Sequence, residues 1–101
     1  MAVELSVTPV CHNIVAKTPR IHMRNAYKLN LISQKHNETI TLGNPRIDRD
    51  ANLEDVVALM LLEVQTDDNV EVKFFVEKND VVTNLRISRI LEEIEDILLT
   101  P

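Results

Sequence analysis

The sequence predicts an α+β fold in which three helices lie on one side of a four-stranded, mainly antiparallel sheet. Three observations carry that expectation. Segments that alternate with period two, or that are rich in β-branched residues, are interspersed with segments of helical spacing, in the order β, α, β, β, α, β, α. Each helical segment keeps an apolar stripe, and the clearest strand keeps one apolar face. Elements of this kind bury their apolar sides by layering helices on one face of a sheet.

Taken in order, "VELSVTPV" (Val3–Val10) opens with alternating apolar positions and reads as an extra strand or an arm. "CHNIVAK" (Cys11–Lys17) is short and rich in β-branched residues, as a buried strand is, and Pro19 breaks the run. From Arg24 to about Lys35, Tyr27, Leu31 and Ile32 fall at helical spacing, with Asn25 as the expected N-cap. "ETITL" (Glu38–Leu42) alternates and ends at the turn residues Gly43, Asn44 and Pro45. "RIDRD" (Arg46–Asp50) then returns to complete a hairpin.

The second helix is expected to be capped by Asn52, with Asp55 in the capping-box position and Leu53, Val56, Val57, Met60 and Leu61 on its apolar face. Asp67, Asp68 and Asn69 make a polar turn. "VEVKFFVEK" (Val70–Lys78) sets Val70, Val72, Phe74 and Val76 against Glu71, Lys73 and Glu77, the alternation of a half-buried strand. Asn79 and Asp80 end it. A long helix follows to about Leu98, carrying Val82, Leu85, Ile90, Leu91, Ile94, Ile97 and Leu98. Gly43 is the one glycine in the chain, so its tight turns must fall on Asn, Asp and Pro.

Composition narrows the function classes. At 101 residues the chain suits one domain, residues 1–101, with one modest core. Apolar residues are 45% and charged residues 27%, the balance of an ordinary globular protein. A net charge of −5 argues against broad attraction to nucleic acid or to anionic membrane. No apolar run approaches the roughly 20 residues that span a bilayer, and no signal-peptide pattern opens the chain, so no membrane insertion is expected. Cys11 is alone, which rules out an intrachain disulfide and fits a reducing, cytoplasmic setting. The spacing of His12, His22 and His36 resembles no ligand motif, so no metal is expected.

One stretch goes further. "IVAKTPRIHMRNA" (Ile14–Ala26) resembles the active-site segment of HPr, the histidine phosphocarrier family of the bacterial sugar phosphotransferase system. In that family a strand leads into Gly-(Leu or Ile)-His-Ala-Arg-Pro-Ala at the start of the first helix. Ile21, His22, Arg24 and Ala26 match that pattern here. "NLEDVVALMLLEV" (Asn52–Val64) resembles the family's second helix, and the element order agrees with its open-faced β-sandwich. The similarity spans roughly Ile14 to Ile97. The departures are Met23 for the alanine, Asn25 for the proline, and Pro19 with Arg20 where the glycine stands, which implies one inserted residue.

The resemblance implies an HPr-like domain that accepts a phosphoryl group on His22, with Arg24 as electrostatic partner and the helix start at Asn25 and Ala26 cradling phosphate. Imidazole suits the task because its lone pair attacks phosphorus near neutral pH. Free N–H groups at a helix start take phosphoryl oxygens, and a guanidinium fork adds charge-assisted bonds. Proline would preset the backbone there, whereas asparagine keeps its N–H and can cap, so the helix is expected to begin one residue later.

The implied partners are an enzyme I-type donor dependent on phosphoenolpyruvate, and permease or regulatory acceptors. Met23, Tyr27, Val56, Val57 and Met60 would dock them, and no cofactor is implied. Asp55 aligns with the serine that a regulatory kinase modifies in many Gram-positive members. It reads either as a helix-terminal cap or as a partial mimic of phosphoserine. Two other readings stand beside the carrier: a diverged, non-catalytic HPr-like interaction or regulatory module, and an unrelated α+β adaptor.

Overall fold

The computed structural model describes residues 9–36, 38–76 and 80–101. The expected opening strand lies outside the described residues up to Thr8, as do residues 77–79 at the end of "VEVKFFVEK". The elements are β1 (Pro9–Val15), α1 (Met23–His36), β2 (Thr39–Asn44), β3 (Arg49–Asn52), α2 (Val56–Met60), β4 (Asn69–Phe75) and α3 (Val81–Leu98), with a 3-10 turn at Pro45–Ile47. The strands form one antiparallel sheet in the order β1-β4-β2-β3. The fold is therefore the α+β class expected, a four-stranded open sheet with three helices.

Register follows the alternation. Ile14 stands opposite Val70 and His12 opposite Val72, while Ile40 faces Phe74 and Leu42 faces Val72 across the other edge of β4. A strand whose alternate residues are all apolar can hold only the register that points them inward. Val70, Val72, Phe74, Ile40 and Leu42 are all fully buried. They share one core with Ala26, Leu29 and Ile32 of α1, Leu59 of α2, and Ile87, Ile90, Ile94 and Leu98 of α3.

Several boundaries move, each for a local reason. β1 ends at Val15, because Ala16 N–H turns to Asp68 O (2.9 Å) and Lys17 N–H to Leu98 O (2.8 Å). β2 continues through Gly43 and Asn44, and the turn shifts to Pro45–Ile47. Asn44 holds it there. Its side chain is buried, donates to Leu62 O (2.9 Å) and Asp68 Oδ2 (3.2 Å), and accepts from Arg46 N–H (3.2 Å). β3 consequently starts at Arg49, after Asp48 in a left-handed conformation (φ 52°).

The second helix is shorter than expected. Asn52 belongs to β3, and the N-cap is Asp55, whose Oδ1 accepts from Ala58 N–H at 3.0 Å. Leu53 and Leu62 are buried from the flanking loops, whereas Val57 and Leu61 face solvent. Leu53, a loop residue, thus mimicked part of a helical stripe. In α3 the buried stripe is Thr83, Ile87, Ile90, Ile94 and Leu98; Val82 and Leu85 point outward. Neighbouring residues on a helix differ by about 100°, so Val82 and Thr83 cannot share a face.

The scarcity of glycine shows in the backbone: Asp48, Glu63 and Asp67 all adopt positive φ. Glu63, at φ 51°, is the residue least suited to it. Glu63→Gly is expected to raise stability by about 0.5 kcal/mol, the left-handed penalty of a side chain less the chain entropy glycine adds. Chemical denaturation with an unchanged m-value is the check.

Asp68 anchors the turn before β4. Burial pushes its carboxyl up, but hydrogen bonds from Gln65 N–H, Arg46 and Asn44, with the Arg46 charge, outweigh that and hold it below the usual range. A carboxylate depressed in the folded state adds stability that is present above its unfolded value, about 4, and disappears as pH falls through the lowered one. The denaturation midpoint should therefore fall on acidification below about pH 4, and Asp68→Asn should flatten that fall.

Candidate functional site

The segment that carries His22 is pinned at both ends. Lys17 and Thr18 N–H groups both donate to Leu98 O at the end of α3, at 2.8 and 3.0 Å. Buried Thr18 donates its hydroxyl to Arg20 O (2.9 Å), and Ile21 is driven into the core. Proline at position 19 restricts the backbone between them. The chain therefore reaches α1 from a fixed direction, with His22 exposed at its mouth.

His22 is the residue before the helix, and its C=O accepts the first helical bond, from Ala26 N–H at 3.0 Å. Asn25 is not the cap expected of it. It is the third helical residue, and its Oδ1 reaches back to accept from His22 N–H at 3.4 Å. This is the returning half of a capping box, made by asparagine instead of glutamate or glutamine. The helix accordingly begins at Met23, two residues before Asn25 and not after it. Ala26, expected in the phosphate cradle, has its N–H committed to His22 O and is buried. The N–H groups of Met23, Arg24 and Asn25 make no hydrogen bond among the described residues. They are the three donors α1 leaves open at its positive end.

The electrostatics agree with that polarity. The first turn of α1 contains no acid, and Arg24 is exposed without an ion pair among the described residues. Arg20, two residues before His22 and not among the expected site residues, is also exposed. The signal was available: residues 1–37 hold five Lys or Arg against one Glu, and residues 38–101 hold six against fifteen acids. A chain of net charge −5 thus concentrates its positive charge on the β1–α1 segment.

The remaining residues divide. Met23 (68% exposed) and Tyr27 (57%) lie on α1 near His22, and Val57 (65%) and Met60 (37%) are exposed on α2. Val56 is only half exposed and packs against the core, which leaves little of it for docking. Asn30 ties α1 to the turn before α2: its Nδ2 donates to Leu53 O (3.3 Å) and Glu54 O (3.0 Å), and its Oδ1 accepts from Gln34 (2.7 Å). Spacing gave no hint of that role. Asp55 occupies the cap of α2, and Asp55→Ala should cost about 1 kcal/mol by loss of that cap, read by thermal denaturation.

His12 and His36 are accounted for structurally. His12 lies in β1 with its ring edge-on to Phe74 at 6.1 Å. His36, just past the expected helix end at Lys35, is the last residue of α1 and contacts Glu93 of α3 at 2.6 Å.

This geometry defines a class: an open antiparallel sheet under three helices, presenting an exposed histidine and arginine at the start of the first helix. Among solved structures the chain is similar to the crystal structure of HPr-C-His from Thermoanaerobacter tengcongensis, with a TM-score of 0.64 over 88% of this chain and 90% of that one. Identity is 16%, so the likeness is one of fold. No family model and no curated protein matches the sequence.

Proposed function

We propose that this chain is a phosphoryl carrier of a cytoplasmic phosphotransferase system, working as one domain over residues 1–101. It accepts the group on His22 from an enzyme I-type donor and passes it to a permease or regulatory component. The observation that supports this best is the exposed His22 at the mouth of a 14-residue helix with three open amides, inside an HPr-like fold.

The chemistry is direct. The lone pair of a His22 ring nitrogen attacks phosphorus; an N–P bond forms as the donor's bond to that phosphorus breaks, its electron pair leaving with the donor. Catalysis of such a transfer is chiefly positioning and charge stabilisation. The N–H groups of Met23, Arg24 and Asn25 receive phosphoryl oxygens, and the Arg24 guanidinium neutralises charge from the side. Met23, Tyr27, Val57 and Met60 supply apolar contact to each partner in turn. Methionines suit a surface that must fit more than one.

Incubation with phosphoenolpyruvate and an enzyme I tests the reading. The expected result is an acid-labile phosphoryl group on wild type, retained in His12→Ala and His36→Ala. A folded protein that stays unlabelled while a family carrier is labelled in the same tube would overturn it, and favour the interaction module.

A further inference from the structure

Positive charge on the β1–α1 segment is neutralised at its two ends and left free between them. The five cations of residues 1–37 are Lys17, Arg20, Arg24, Lys28 and Lys35. Lys17 Nζ lies 2.8 Å from Asp67, and Lys35 Nζ lies 2.6 Å from Glu93. Arg20, Arg24 and Lys28 have no ion pair among the described residues. Lys28 lines the crease between α1 and α3. The two arginines flank His22, one two residues before it and one two residues after.

Covalent geometry keeps Arg20 near the ring. Two residues of chain span at most about 7 Å whatever their conformation, and an arginine side chain covers that distance. Ile21 between them is buried while Arg20 and His22 are both exposed, so the two side chains leave the surface on either side of one core residue. The backbone is held at each: the Thr18 hydroxyl donates to Arg20 O (2.9 Å), and His22 N–H donates to Asn25 Oδ1 (3.4 Å). The Arg20 guanidinium makes no hydrogen bond among the described residues. It stands where the pattern matched by Ile21, His22 and Arg24 has glycine, so that pattern gives it no role.

We propose that Arg20 is a second charge-neutralising residue for phosphoryl transfer at His22. It contacts the phosphoryl oxygens from the segment before α1, while Arg24 and the open amides contact them from the helix. This role rests on the carrier reading and adds one residue to it. A phosphoryl group on a side chain brings close to two negative charges and three acceptor oxygens at neutral pH, more than one guanidinium neutralises. A second planar fork supplies the missing charge and further charge-assisted bonds. The structural alternative is that Arg20 serves the negative end of α3, whose Leu98 O receives the Lys17 and Thr18 N–H groups. The two roles differ in what they stabilise: the phosphorylated state or the fold.

Phosphoramidate, a small donor that needs no protein partner, tests this apart from enzyme I. A bond forms between a His22 ring nitrogen and phosphorus as the donor's own nitrogen–phosphorus bond breaks. Ammonia leaves from the protonated donor nitrogen with the bonding electron pair. Arg20→Ala is expected to slow labelling of His22 by about 10-fold, the scale of one exposed hydrogen bond to a charged group. Its melting temperature should be unchanged, because alanine keeps the carbonyl that Thr18 uses. Arg20→Lys should recover part of the rate, as charge without the fork. In wild type, the Arg20 Nε–H NMR signal should move downfield when His22 is labelled. A labelling rate or an Arg20 signal that does not move, on a His22 that takes label, overturns the inference and leaves the carrier reading standing. An Arg20→Ala variant that melts early assigns the residue to α3 and overturns it too. A folded protein whose His22 takes label from neither phosphoramidate nor enzyme I overturns both.

Discussion

His22→Ala is expected to abolish phosphoryl transfer and leave stability unchanged. The side chain is exposed and makes no hydrogen bond, ion pair or ring contact among the described residues; only its backbone is used, by Asn25 and Ala26. Alanine preserves both backbone contacts, so loss of label without loss of fold isolates the nucleophile. Arg24→Ala should slow transfer by about 100-fold while the final extent of labelling persists, the usual scale for removing one stabilising donor. Arg24→Lys should recover only part of that rate, because an ammonium keeps the charge but not the planar fork. The pair of results separates the atom that forms the bond from the group that stabilises its charge.

Phe74→Ala is expected to have the largest effect on stability. Phe74 is fully buried in β4, the strand flanked by both β1 and β2, opposite Val10 on one side and Ile40 on the other. Its removal leaves a cavity that the sheet cannot collapse around, at a cost of about 3–5 kcal/mol. A domain of this size holds roughly 5–15 kcal/mol in all, so the variant should sit near its unfolding threshold. Urea denaturation reads this directly. Val57→Ala, on the exposed face of α2, should move the midpoint hardly at all, within about 0.5 kcal/mol.

The contrast between Phe74 and Val57 also marks how far the sequence could be read. β4 was legible because one of its faces lies on the core and the other on water, so burial imprints period two on the residues. α3 was legible as a helix, but its buried face was not: Val82 and Leu85 repeat at a spacing as helical as that of Ile87, Ile90 and Ile94. Local periodicity carries no information about which of two apolar stripes meets the sheet. α2 was overextended because Leu53, which enters the core from the loop before it, stands three residues ahead of Val56 and so continues a helical count.

At the site, the Ile-His-x-Arg pattern located the exposed histidine and arginine, while the role of Asn25 was inverted. Asparagine caps from the residue before a helix or reaches back from its third position, and the choice here rests on Ile21 and Thr18 fixing where the chain enters. Asn30 and Asn44 could not have been found by pattern at all. Each is a buried amide satisfied by carbonyls at least 18 residues away in sequence, a fact that exists only once the chain has folded.

The central claim is that His22 receives the phosphoryl group and that the first turn of α1 holds its oxygens. Heteronuclear NMR of the protein, before and after incubation with phosphoenolpyruvate and an enzyme I, tests it most directly. The account predicts a phosphoramidate phosphorus signal, a change at the His22 ring nitrogens, and downfield amide shifts confined to Met23, Arg24 and Asn25. A phosphorus signal coupled to His12 or His36, or no signal from a folded protein in the presence of an active donor, would contradict it.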